Sequence, residues 1–410
     1  MTLQQRTANA QEPRKAYKGW FLILGVILIG ANLRAPLTAI GPLIELIRES
    51  LDISNAVAGI LTTLPLLAFA FISPFAPKLA RRFGMESVFL MALCMLAVGI
   101  AVRSLHGFGS LLTGTILLGL SISVCNVLLP SFVKRDFSDQ IGLMTGVYSV
   151  SMNLTGAIAS GISVPLALGL GLGWQAALGF WGILTLISIL VWFPQTRKNK
   201  SKKSSAGTMD VSNKPRKLNL WRSRLAWQVT LFMGAQSSLF YTTITWFPTI
   251  LVGKGLSTNE AGWMLSIMLF SVLPFTFFVP VIAGRMTNQR SLVMVTALLL
   301  LCGNLGLLFM KTTTLIPLCM VLLGIAFGSA FTLAMMFFSL RTQTMHEAAE
   351  LSGMAQTFGY LMAAVGPTLM GLLHDKTGSW TIPFVFIIGI SILLLLVGLG
   401  AGSPRYVNAE

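Results

Sequence analysis

Twelve apolar stretches, each long enough to cross a bilayer, leave this chain little choice of environment. A membrane helix needs about 20 mostly apolar residues. Such stretches fall at about 19–46, 56–80, 86–103, 107–133, 141–169, 175–194, 225–252, 260–284, 291–310, 314–340, 349–373 and 380–402. Backbone polar groups in lipid must be satisfied internally, which makes these stretches helices rather than loops. Only 10% of the residues are charged, against about 25% in a soluble domain. A soluble chain of 410 residues would be divided by polar linkers. Here one long polar run occurs, Gln195 to Arg224, with KNKSKK at Lys198–Lys203.

The run divides the chain into a cytoplasmic N-terminus (1–18), a six-helix half (19–194), a linker (195–224), a second six-helix half (225–402) and a C-terminus (403–410). The polar start leads into an apolar stretch too long for a signal-peptide core, so it reads as a retained first span. A net charge of +16 would suggest nucleic acid in a soluble chain. The placement of the charges excludes that reading. With the N-terminus inside, the inner segments hold 23 of the 29 Lys/Arg and the outer loops five, Arg34 being left over within span 1. Excess Lys/Arg marks cytoplasmic loops, so both termini are expected in the cytoplasm of a multi-pass plasma-membrane protein, with lipid as its surroundings.

The halves repeat. Ser54 and Ala58-Gly59 match Ser257 and Ala261-Gly262, and Pro77 and Arg82 match Pro280 and Arg285, all at an offset of 203. Leu117-Leu118-Gly119 matches Leu322-Leu323-Gly324 at 205, Trp174 matches Trp380 at 206, and Gly146 matches Gly353 at 207. Duplicated six-span halves around a central linker describe a secondary transporter, with substrate between the halves near the midplane and access alternating by rocking.

Arg34 is the sharpest single residue. It lies in GANLRAPLTAIGPL, where a cation costs about 2.5–3.5 kcal/mol on insertion scales. Two roles are open. It is either held by backbone carbonyls at a helix break made by Pro36 and Pro42, or it clamps an anion or polar ligand. All 13 Asp/Glu lie in loops or at helix ends, so no membrane carboxylate is on hand to neutralise it. A proton, if one is carried, would move with the substrate or through Glu45, His374 or Asp375, and a facilitator needs none.

A second polar set lies on other spans: Asn32 beside Arg34, Asn126, Tyr148 and Asn153, then Gln236, Tyr241 and Trp246, and Gln356 and Tyr360 at i and i+4. Hydrogen-bonding and aromatic groups set among apolar residues fit a small-molecule pocket, although Asn and Gln also bridge membrane helices. A cytoplasmic gate is expected at Pro77, Arg81, Arg82 and Gly84, with Arg135, Arg285 and Arg341 at other inner helix ends. Cys94, Cys125, Cys302 and Cys319 read as small packing residues between helices. No HExxH, GxSxG or P-loop occurs and the three histidines are scattered, so no catalytic residue, metal site, cofactor or enzymatic activity is expected.

Twelve spans in two repeated halves resemble the major facilitator superfamily. PKLARRFG resembles that superfamily's motif between spans 2 and 3, with Arg81 where an Asp is usual, a departure that removes the customary carboxylate from the latch. NLRAPLTAIGPL, NVLLPSFVKRDF, MTGVYSVSMN, QSSLFYTTITWFPTIL and LSGMAQTFGYLMAAVGP resemble its cyanate and nitroimidazole permease group, over about residues 20–400. The resemblance implies a permease for small planar anions or nitroaromatic solutes, and Arg34 matches the arginine of the group's first span; a monomer is expected. Two alternatives stand beside it: a broader-range efflux permease for small organic compounds, and a non-transporting membrane receptor.

Overall fold

The computed structural model describes residues 12–53, 55–171, 173–205, 220–309 and 313–407, and among these there is no strand. The helices are α1 (Glu12–Asn32), α2 (Ala35–Thr38), α3 (Ile44–Leu51), α4 (Asn55–Ile72), α5 (Ala76–Phe83), α6 (Met85–Arg103), α7 (Phe108–Asp136), α8 (Ile141–Val164), α9 (Gly173–Gly179), α10 (Trp181–Ser205), α11 (Arg224–Gly253), α12 (Thr258–Arg285), α13 (Arg290–Phe309), α14 (Ile316–Leu340), α15 (Met345–Thr377) and α16 (Thr381–Ala401).

Nine helical stretches among the described residues are long and apolar enough to cross a membrane, and the pair α4–α5, bent by 54°, makes a tenth. The 30-residue α11 and the 33-residue α15 complete twelve crossings. These two fall short of the apolar average because polar residues such as Gln236, Ser237, Ser238, Gln356 and Ser352 sit on their inner faces. Large apolar side chains point outward around the bundle, Leu190 at 73% exposure and Phe309 at 74% among them. Water would not tolerate such a belt, and lipid does.

The first span is a broken helix rather than one rod. α1 ends at Asn32, the chain turns through Leu33 and Arg34, and α2 resumes with Pro36 in its first turn. Proline removes an N–H and disfavours helix at the residue before it. The Pro36 carbonyl accepts from Arg103 Nη1 at 2.8 Å. One carbonyl of the break is thus satisfied by the buried arginine at the end of α6, one of the five cations that the sequence assigns to outer loops.

The duplication shows as paired contacts between the halves. At Gly146 of α8 a Cβ would stand 3.0 Å from the Phe277 carbonyl of α12, and at the repeat-related Gly353 of α15 it would stand 2.9 Å from the Ser73 carbonyl at the end of α4. Pro280 and Pro77, another matched pair, close the same two approaches, against Gly142 and Gly353 respectively. Removing a side chain lets helix backbones touch, which is how membrane helices associate without a hydrophobic drive.

Two expectations change. The linker expected from residue 195 begins later, because α10 runs on to Ser205, while 206–219 lie outside the described residues. Cys125 and Cys319 are buried between helices as expected, but Cys94 and Cys302 are exposed on the outer surface of the bundle.

Candidate functional site

A small cavity opens between the halves. It is lined by Arg34, Asn153 of α8, Gln236, Ser237, Phe240 and Tyr241 of α11, Val272 and Thr276 of α12, Phe327 and Phe331 of α14, and Tyr360 of α15. On each of these five helices the lining residues lie near mid-length, as a midplane site requires. The cavity holds about 30 Å³, room for one or two waters.

Arg34 enters this space because the break in the first span frees it from a regular helical position, and its stem crosses Gly156 of α8. A Cβ at Gly156 would sit 2.6 Å from Arg34 Cγ. The break is pinned beside α8 by hydroxyls, with Thr38 Oγ1 donating to the Gly156 carbonyl at 2.8 Å and Thr155 Oγ1 to the Ala31 carbonyl at 3.1 Å. Arg34 Nη2 donates to Asn153 Oδ1 at 3.5 Å, a long bond to a neutral acceptor, and its guanidinium carbon lies 5.7 Å from the centre of the Phe240 ring. None of the ion pairs among the described residues involves Arg34. The side chain of Glu45 lies outside the described residues.

Of the ten expected binding residues, the cavity unites Arg34, Asn153, Gln236, Tyr241 and Tyr360. It does not bring in the other five. Asn32 is buried toward α10, donating through Nδ2 to Ser188 Oγ and accepting at Oδ1 from Thr185, both at 2.7 Å. Its amide is an interhelical tie. Tyr148 packs against Gly30 of α1. Trp246 donates to the Pro367 carbonyl at 2.8 Å and packs on Trp380, joining α11 to its neighbours. Gln356 is fully buried, donates to Ser352 Oγ at 2.9 Å, and sits one turn from Tyr360 without reaching the lining. Asn126 is not among the lining residues. The sequence reading missed Ser237, Phe240, Val272, Thr276, Phe327 and Phe331. Among the 26 phenylalanines, pattern alone does not separate three that face a cavity from those facing lipid or core.

The basic end of the bundle is closed by contacts between the halves. Arg81, at the end of α5, pairs with Glu350 of α15. The pair thus has its basic partner on the first half and its carboxylate on the second. Gly84, at φ +84°, turns the chain between α5 and α6, a conformation open to glycine at no steric cost. Pro77 packs on Gly353. Arg135, expected at the gate, reaches Glu86 and Asp136, each at 2.6 Å, all within the first half, so it does not bridge the two. Lys134, which was not expected here, donates to the carbonyls of Ser339 and Thr342 at the end of α14. A cation at a helix C-terminus also meets the favourable end of its dipole.

Three further expected gate residues take other roles. Arg341 donates to the carbonyls of Ala401 (2.7 Å) and Gly402 (3.2 Å) and to Gln289, so it ties together one half and does not bridge two. Burial pushes its guanidinium down to about 10, which leaves it charged at neutral pH. Arg82 lies over its neighbour Phe83 at 5.2 Å, and Arg285 is exposed at the end of α12.

The Arg81 and Glu350 side chains are 42% and 30% exposed, so the pair should contribute about 0.2–1 kcal/mol to closure. Either single reversal, Arg81→Glu or Glu350→Arg, should change flux up to about fivefold on that scale. The double reversal should restore it. A double variant no better than the singles would remove the pair from the latch.

Residues 22–367 match the sequence model of the Major Facilitator Superfamily. The chain is 44% identical over 396 residues to an uncharacterized transporter of Bacillus subtilis (strain 168), covering 96% of each. It is 39% identical over 387 residues to a 2-nitroimidazole transporter of Escherichia coli (strain K12), covering 94% of this chain and 96% of the relative. A cyanate transport protein of the same organism is 25% identical over 381 residues, covering 91% and 96% respectively. The fold matches that of a proton:xylose symporter bound to 6-bromo-6-deoxy-D-glucose, with a TM-score of 0.72 at 12% identity over 92% of this chain and 94% of that one.

Proposed function

Since the chain belongs to the major facilitator superfamily, and within it to the cyanate and nitroimidazole permease group, we propose that it transports a small planar solute, anionic or nitro-substituted, bound at Arg34. The observation that carries this reading is a guanidinium at the midplane whose partners among the described residues are a neutral amide and a phenyl face. Such a fork matches two oxygens of a carboxylate or nitro group, or the end of a linear anion. Asn153, Gln236, Tyr241 and Tyr360 offer hydrogen bonds around it, and Phe240, Phe327 and Phe331 offer flat apolar walls to a planar body. The names carried by the nitroimidazole and cyanate relatives agree with this chemistry.

Positive charge at the latched end makes that end cytoplasmic, with both termini on that side. The half-buried Arg34 would then be approached from outside. Substrate entry would be followed by closure of the outer side and release of the Arg81–Glu350 and Lys134 contacts. The protein would work as a monomer in the plasma membrane, with no cofactor.

Thermal unfolding of the purified protein with sodium cyanate, 2-nitroimidazole or neutral acetamide tests the ligand class. Either of the first two should raise Tm, by an amount corresponding to about 2.7 kcal/mol at a hundred times Kd, and acetamide should not. Equal stabilisation by acetamide, or none by the other two, would refute the reading. The stabilising compound should then enter vesicles holding the protein.

A further inference from the structure

The charge of Arg34 has a consequence for the empty carrier. The guanidinium makes the empty site cationic. Among the described residues no carboxylate stands within ion-pair reach to take over the guanidinium when substrate leaves. The Asn153 oxygen at 3.5 Å and the Phe240 face at 5.7 Å are neutral. Arg34 keeps part of its surface open, so water supplies the remaining hydration in this state. Changing sides requires the cavity to close, which takes that water away. Drying an unpaired ion in the interior is strongly unfavourable, a handicap on the order of a hundredfold or more in the closing step. A bound anion removes the handicap by supplying the opposite charge at the guanidinium itself.

The loaded carrier therefore closes and the empty one does not. Resting on the anion reading of the same site, we infer that this protein is an anion exchanger: it changes sides only when loaded, so each anion that enters is matched by one that leaves. Between anions of equal charge the exchange moves no net charge. The driving force is then the gradient of the counter-anion, with no proton carrier in the membrane.

Reconstituted full-length protein in liposomes tests this with labelled cyanate as the probe, added outside vesicles that contain either unlabelled cyanate or gluconate. Initial uptake should be at least tenfold faster into the cyanate-loaded vesicles. Equal rates into both would overturn exchange while leaving the anion site standing. Uptake into neither also overturns exchange, and the thermal shift with cyanate then shows whether the anion site falls with it. Asn153→Asp adds a second readout. It sets a carboxylate where the amide oxygen now accepts from Arg34, neutralising the empty site. The preference for loaded vesicles should then fall toward one, with weaker cyanate binding. A variant that folds, carries cyanate and keeps the full preference would contradict the inference, and the wild-type comparison stands without it.

Discussion

Arg34→Ala should lose ligand-induced stabilisation and lower transport by about 10²-fold or more, with no loss of stability in the unliganded protein. Each charge-assisted hydrogen bond contributes about 1.5–3 kcal/mol, and a bidentate contact makes two, so the sum, about 3–6 kcal/mol, is a hundredfold or more in affinity. Meanwhile an isolated cation in the membrane is costly, about 2.5–3.5 kcal/mol. Removing one that is held, among the described residues, by one long side-chain bond to Asn153 should leave Tm equal or higher. An arginine kept for structure would behave the other way: its loss would lower Tm of the empty protein. Arg34→Lys keeps the charge and loses the planar fork, and should fall between, at about a tenfold loss on the same scale. Flux in vesicles and Tm with and without ligand decide the matter. Wild-type flux in both variants would remove Arg34 from the site.

Gly156→Val should nearly silence transport without touching any ligand. The new Cβ would meet Arg34 Cγ at 2.6 Å, Arg34 Cβ at 3.3 Å and Thr38 Cγ2 at 3.6 Å. These atoms belong to the stem and the helix, so they do not swing aside as a flexible tip would. The first span is also held in place by the bond from Thr38 to the Gly156 carbonyl. Overpacking of this kind costs about 1–3 kcal/mol, and here the atom that must move carries the guanidinium. A loss of about 10–100-fold in ligand affinity is expected. A double-mutant cycle gives the check. In an Arg34→Ala background Gly156→Val should have little further effect on binding, because the stem it displaces is gone. Full additivity of the two losses would disprove the coupling.

Helix rotation accounts for some of the expected residues that missed the cavity. Five residues along a helix turn the direction by about 140°, so Tyr148 and Asn153 point different ways. Only Asn153 reaches Arg34, while Tyr148 packs on Gly30. Along α11 the spacing does not decide the outcome: Gln236 and Tyr241, five apart, both line the cavity, while Trp246 turns to the Pro367 carbonyl of α15. Asn32 and Arg34 are two apart and chemically similar as membrane polar residues. The break at Leu33–Arg34 sends one into α10 and the other into the cavity. A sequence shows that a polar group is present in a span, and the rotation of that span decides which neighbour it meets.

What the sequence determined by itself is the part dictated by lipid. Unsatisfied backbone and buried charge are so costly there that run length, basic loops and the lone Arg34 became visible as pattern. The repeat was visible too, because Gly146 and Gly353, and Pro77 and Pro280, mark the same backbone approaches in each half. Only the tertiary structure decided what those elements meet. It put Arg103 on the Pro36 carbonyl, chose Phe240, Phe327 and Phe331 from among many phenylalanines, turned Arg341 inward on its own half, and paired Arg81 with Glu350. The reason is that contacts across helices depend on tilt and rotation set by packing over the whole bundle, which local sequence does not encode.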